Sequence, residues 1–175
     1  MKPQNVQVIS PLNGQPPAAP AAMQGAMPQS QPRLASTPKP FLDQPFNPKE
    51  LMRVLQRLES TDNPMAWKKD EDARGILQIR KPMIDDVNRI ISLNKDKESP
   101  LYGMSFKHQD AFDPEKAALI FDIYSDFYTR KFWLKREPTN RDVARMWNGG
   151  PKGKDKELTK YEGKVQNISK ELYGY

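Results

Sequence analysis

From Asn47 onward, apolar residues recur at helical spacing in successive stretches, and most of these stretches are bounded by a cap, a proline or a glycine. Leu51, Val54, Leu55 and Leu58 form one stripe. Ahead of it Asn47 can cap, Pro48 suits the first helical position, and Glu50 meets the positive end of the helix dipole. Asn63-Pro64 ends that helix soon after Glu59. A polar run from Lys68 to Asp72 then leads into Gly75-Ile76-Leu77-Gln78-Ile79. Its short length and flanking turns predict a small hairpin or an irregular β-like loop. Ile84, Val87, Ile90 and Ile91 predict a second helix from Pro82, and residues 94–109 read as turn-rich. Asp113-Pro114-Glu115 repeats the cap, proline and acid order, predicting a helix to about Arg136 that buries Ala118, Leu119, Phe121, Ile123, Tyr124 and Phe127. A shorter helix from Thr139 to Met146 leads into Trp147-Asn148-Gly149-Gly150-Pro151. The last helix runs from Leu158 to Leu172, with Tyr161, Val165 and Ile168 on one face. The pattern predicts a mainly α (α+β) domain over 46–175, with about five helices and a small β-like hairpin insertion.

Composition separates this domain from what precedes it. Residues 1–45 hold 10 of the 17 prolines, many Gln and Ala, and one acid, Asp43. Such a segment cannot bury enough apolar surface to offset its ordering entropy, so a disordered arm is expected, either a plain linker or an assembly tether. The chain has no cysteine, which excludes disulfides, zinc–thiolate sites and thiol nucleophiles. Its one histidine, His108, rules out a multi-histidine metal site and is expected at the surface or in a loop. No cofactor and no metal are expected. No apolar run approaches the roughly 20 residues needed to span a bilayer. The N-terminus has no apolar core of a secretory signal. A net charge of +6 suits a polyanionic partner without choosing among nucleic acid, membrane surface and wall polymer. Aromatic and basic residues do not interleave as they do on nucleic-acid-binding surfaces.

Glu59 is the candidate for chemistry. It stands at the end of an amphipathic helix, ahead of a glycine-led apolar segment, where apolar neighbours would shield its carboxyl from water. Burial disfavours the charged form and moves the pKa toward neutrality, which suits a proton donor. On spacing alone, Glu59 reads first as part of the polar face of the first helix. Trp147-Asn148-Gly149-Gly150-Pro151 could supply a second groove wall, with the glycines permitting close backbone approach. Trp67 and Trp147 flank the two groove segments and are candidates for stacking on a ring. Tyr124, Phe127, Tyr128, Phe132 and Trp133 recur at helical steps and are expected in the core. Asp70, Glu71 and Asp72 read as a solvated turn, one of whose acids could orient a water for hydrolysis, and the lysines from Lys152 to Lys160 as a solvated loop that could hold an anionic wall polymer.

The order Glu59-Ser60, Gly75-Ile76-Leu77-Gln78-Ile79, Val87-Asn88-Arg89-Ile90, Trp147-Asn148-Gly149-Gly150-Pro151 and Tyr161 resembles the lytic transglycosylase and goose-type lysozyme-like superfamily. Within it the similarity is to small phage-encoded members, and it covers about residues 47–173. The resemblance implies a lysozyme-like fold. It also implies that Glu59 protonates the β-1,4 bond between N-acetylmuramic acid and N-acetylglucosamine in peptidoglycan and then takes a proton back. In such enzymes the substrate's own 6-hydroxyl closes on C1 to leave a 1,6-anhydro product, so no nucleophile is assigned. Ser60 would hold Glu59 or touch substrate, Gln78 would bond a sugar acetamido group, Trp147 and Asn148 would contact the sugar, and Tyr161 would position the acid. Each has a structural alternative, a capped turn for Asn148 and a core aromatic for Tyr161. The arm then suggests a virion-associated enzyme that reaches the host wall or periplasm and meets other virion proteins through that arm. The alternative is a non-catalytic structural or polyanion-binding virion protein on the same fold.

Overall fold

The computed structural model describes residues 39–132, 135–156 and 158–174. The arm read over residues 1–38, and Trp133, lie outside them. Among the described residues there are five α-helices and one two-stranded antiparallel hairpin: α1 (Pro48–Ser60), β1 (Trp67–Lys68), β2 (Ala73–Arg74), α2 (Lys81–Leu93), α3 (Pro114–Phe132), α4 (Asn140–Gly149) and α5 (Thr159–Tyr173). The mainly helical class with a small hairpin holds. None of these helices is long and apolar enough to cross a membrane.

Local chemistry explains the boundaries. The Asn47 side chain accepts from the Glu50 backbone N–H, and Pro48 opens α1. The helix ends where Thr61 turns left-handed at φ 55° and its N–H bonds the Arg57 carbonyl. Asp62, also left-handed, is held by Arg53 at 2.6 Å and Arg57 at 3.3 Å. A capping box starts α4, Thr139 accepting from the Asp142 N–H while the Asp142 carboxylate accepts from the Thr139 N–H. The hairpin is shorter than the apolar segment suggested, pairing Trp67 with Arg74 and Lys68 with Ala73. Gly75-Ile76-Leu77-Gln78-Ile79 itself is a tight loop closed by an isolated bridge between Arg74 and Ile79, with Leu77 and Ile79 fully buried.

The core runs through every helix. One buried cluster takes in Leu51, Val54 and Leu55 of α1, Ile84 and Val87 of α2, Ile120, Phe121 and Tyr124 of α3, Val143 and Met146 of α4, and Val165 of α5. On α3 the buried stripe is Ala117, Ile120, Phe121, Tyr124 and Tyr128, while Leu119 is only partly buried and Ala118 is not in the core. The predicted stripe was one residue out of phase at its start, because the proline and acid of the first turn carry no phase information. Lys135 and Arg136 lie in a turn rather than in α3. At the other end, α4 continues past Met146 through Trp147, Asn148 and Gly149.

The domain boundary at residue 45 is corrected. Phe41 and Leu42, read as part of the arm, are buried in the core, and a short 3-10 turn spans Phe41–Asp43. Asn140, fully buried, fastens this segment: its Nδ2 donates to the Phe41 carbonyl and its Oδ1 accepts from the Asn47 N–H. Proline-rich surroundings hid these two apolar residues, since composition averages over them.

Candidate active site

Helices α1, α2, α3 and α4, with the hairpin and its loop, line a cleft of about 610 Å³. Glu59, Gln78, Trp147 and Asn148 all border it, together with Arg80, Asp86, Tyr124 and Tyr128. A cleft of that size can hold a small organic ligand. The two motif regions of the sequence therefore meet in space.

Glu59 occupies the last turn of α1. Helix α5 packs beside α1, and Tyr161 in its first turn donates its hydroxyl to Glu59 Oε1 at 2.9 Å. Burial raises the Glu59 pKa above its ordinary value near 4.5, while the bond from Tyr161 and the charges of Lys68 and Arg80 pull partly the other way. The Tyr161 phenol is pushed well above its usual range by burial and by the neighbouring Glu59. It therefore stays protonated and keeps donating.

Ser60 does something different. Its hydroxyl donates to the Ile76 carbonyl at 2.8 Å, tying the end of α1 to the glycine-led loop, and it is absent from the cleft lining. It neither holds Glu59 nor meets a ligand directly; it fixes the distance between α1 and the loop. Gln78 adopts a left-handed φ of 51°, and its side-chain nitrogen donates inward to the Gly75 and Ala66 carbonyls. Its Oε1 is buried without a hydrogen-bond partner. Gln78 thus borders the cleft while its amide is turned into the loop.

The two tryptophans depart from expectation. Trp147 is 6% exposed and packs on Phe121 at 5.1 Å and Tyr124 at 6.0 Å, so it is mainly a core residue that reaches the cleft wall without offering a face for stacking. Trp67 is 51% exposed but lies outside the cleft lining, its ring beneath Lys69 and Arg74. Asn148 stays exposed in the last turn of α4, where its amide reaches the cleft.

Other cleft residues were not singled out by sequence. Tyr128 donates to Asp86 Oδ2 at 2.6 Å, and burial with that bond pushes its phenol up to about 12. Asp86 also holds Arg89, and Glu71 pairs with Arg80. The signal for Asp86 was its place on the border of the α2 stripe, one residue before Val87. His108 is not a loose surface residue. Its ring is nearly buried, and Nε2 donates to the Ile79 carbonyl at 2.9 Å, bracing the loop that carries Gln78. Among the described residues there is no cluster of acids and histidine able to hold a metal. Compared with known protein families, curated proteins and solved structures, the chain matches none.

Proposed function

We propose that this chain is a lytic transglycosylase that cleaves the β-1,4 bond between N-acetylmuramic acid and N-acetylglucosamine in peptidoglycan, with Glu59 as its single acid and base. The observation that carries the reading is the partly dry Glu59 carboxyl in the cleft, held by Tyr161 at 2.9 Å. A carboxyl whose protonated form is favoured can give its proton to the leaving glycosidic oxygen as the C1–O bond breaks. The resulting carboxylate takes the proton of the sugar's 6-hydroxyl, whose oxygen bonds C1 and closes the anhydro ring. Water is not consumed. In support, the other two acids lining the cleft are already engaged, Glu71 by Arg80 and Asp86 by Arg89 and Tyr128. Asn148 borders the cleft from the opposite motif. The lysozyme-like reading rests on four motifs in their order with Tyr161 after them, and the virion setting on the composition of residues 1–45.

The test is release of soluble muropeptides from purified sacculi by the full chain. Glu59→Gln keeps the shape of the side chain and loses the proton. It should slow release by about a hundredfold to ten-thousandfold, the range expected for general acid–base catalysis. If the unaltered chain releases nothing where a control muralytic enzyme does, the reading falls, and the non-catalytic polyanion-binding virion protein takes its place.

A further inference from the structure

The charges around the cleft do not balance. Besides Glu59 it is bordered by Lys68, Glu71, Arg80, Asp86 and Lys156. Arg80 and Glu71 neutralise each other, and Asp86 is matched by Arg89 at 2.7 Å. Lys68 of β1 and Lys156, just after the 3-10 turn Pro151–Asp155, are both exposed. Neither ammonium group makes an ion pair or a hydrogen bond with the described residues. Two unmatched ammonium groups from separate elements thus face one cleft.

One of them works against the acid. The Lys68 charge favours ionised Glu59, opposing the burial that keeps the carboxyl protonated. An anion docked on Lys68 would screen that charge and restore the proton where it is used. Where the lactyl carboxyl of N-acetylmuramic acid is taken up in the amide to its peptide, the sugars carry no charge, and the anion is then a carboxylate of that peptide. Lysine ammonium groups on flexible stems read charge without the fixed fork of arginine, which fits a carboxylate on a mobile peptide.

We propose that Lys68 and Lys156 form an anion subsite at the mouth of the cleft that takes a carboxylate of an acidic peptide borne on the glycan strand. This rests on the glycan-cleaving reading and adds a preference to it: strands with acidic peptides are better substrates than strands whose peptides are neutral. A phosphate-bearing polymer on the strand is the other source of negative charge, and converting carboxyls to amides leaves it untouched.

The experiment uses the full chain and two soluble strand preparations, one with free peptide carboxyls and the same strands after carbodiimide-driven amidation with ammonia. The unaltered chain should show a KM about three- to tenfold lower on the acidic strands, the scale of one or two exposed charge pairs. That contrast should shrink as salt is raised. The double variant Lys68→Gln/Lys156→Gln should bring the ratio of the two KM values to about one, and Lys156→Gln alone should lower it in part. Equal KM values for the two strands with the unaltered chain would overturn the subsite, as would a contrast that survives in the double variant. Cleavage of neither strand would instead remove the glycan-cleaving reading, and the subsite with it.

Discussion

Glu59 and Glu162 flank the same helix contact and meet opposite fates. Glu162, next to Tyr161 on α5, is 6% exposed, yet its carboxylate accepts from Arg145 at 2.6 Å, from Arg141, and from the Leu158 N–H at 3.3 Å. Burial pushes it up, and these donors outweigh burial, so it sits below its usual range and stays ionised. Glu59 has one neutral donor and no guanidinium at bonding distance, so burial wins and its pKa rises. Environment rather than residue type sets the two acids apart: one is held ionised in the fold, and the other is fitted to the proton transfers proposed for it. Because the Tyr161 bond favours the charged form of Glu59, Tyr161→Phe should raise the Glu59 pKa further. The active form carries the proton, so the alkaline limb of kcat/KM should move to higher pH, with kcat reduced up to about a hundredfold by looser positioning of the acid. A pH–rate profile of the variant checks this, and a limb that stays still or moves to lower pH would contradict it. Glu59 and Tyr161 were legible because the motifs sit on elements with clear helical period. Trp147 was misread because an aromatic flanking a glycine pair carries the same signal whether it covers the core or a ligand.

At the scale of elements, the helices were legible and the hairpin loop was not. Caps and apolar stripes mark α1 to α5, whereas strands of two residues have no period to read. What shapes the loop is contact with distant chain. Gly75 has φ 74°, and a Cβ there would lie 1.6 Å from the Ala111 carbonyl oxygen, in the 3-10 turn His108–Phe112 that precedes α3. His108 of that same turn braces Ile79, and Asn88 of α2 exchanges two hydrogen bonds with the Phe106 backbone, at 2.8 and 2.9 Å. The loop carrying Gln78 is thus clamped from α1 by Ser60 and from the turn by His108. Gly75→Ala cannot be absorbed by rotating a side chain, since the obstacle is backbone. It should cost at least about 3 kcal/mol in denaturant-derived stability and lower activity as the loop shifts. A variant of unchanged stability would show that the loop is not held against the turn.

Across the whole molecule, the folded unit reaches further toward the N-terminus than the change in composition implied. Phe41 is fully buried and stacks near Tyr173 of α5, with ring centroids 6.4 Å apart, so the two ends of the domain close on each other. Phe41→Ala should therefore destabilise the full chain by about 3–5 kcal/mol, the range for emptying a buried aromatic site. Chemical unfolding checks it, and a loss below about 1 kcal/mol would return Phe41 to the arm. That closure also matters for the cleft, because α5 brings Tyr161 to Glu59 across 102 positions of sequence. A single buried glutamate performing both proton transfers leaves a chemical signature in the product. Digestion of sacculi by the full chain in heavy-oxygen water, followed by mass spectrometry of the released ends, reads it directly. The account predicts 1,6-anhydro ends without incorporated label. Reducing ends carrying heavy oxygen would show that water attacks C1 and would contradict it.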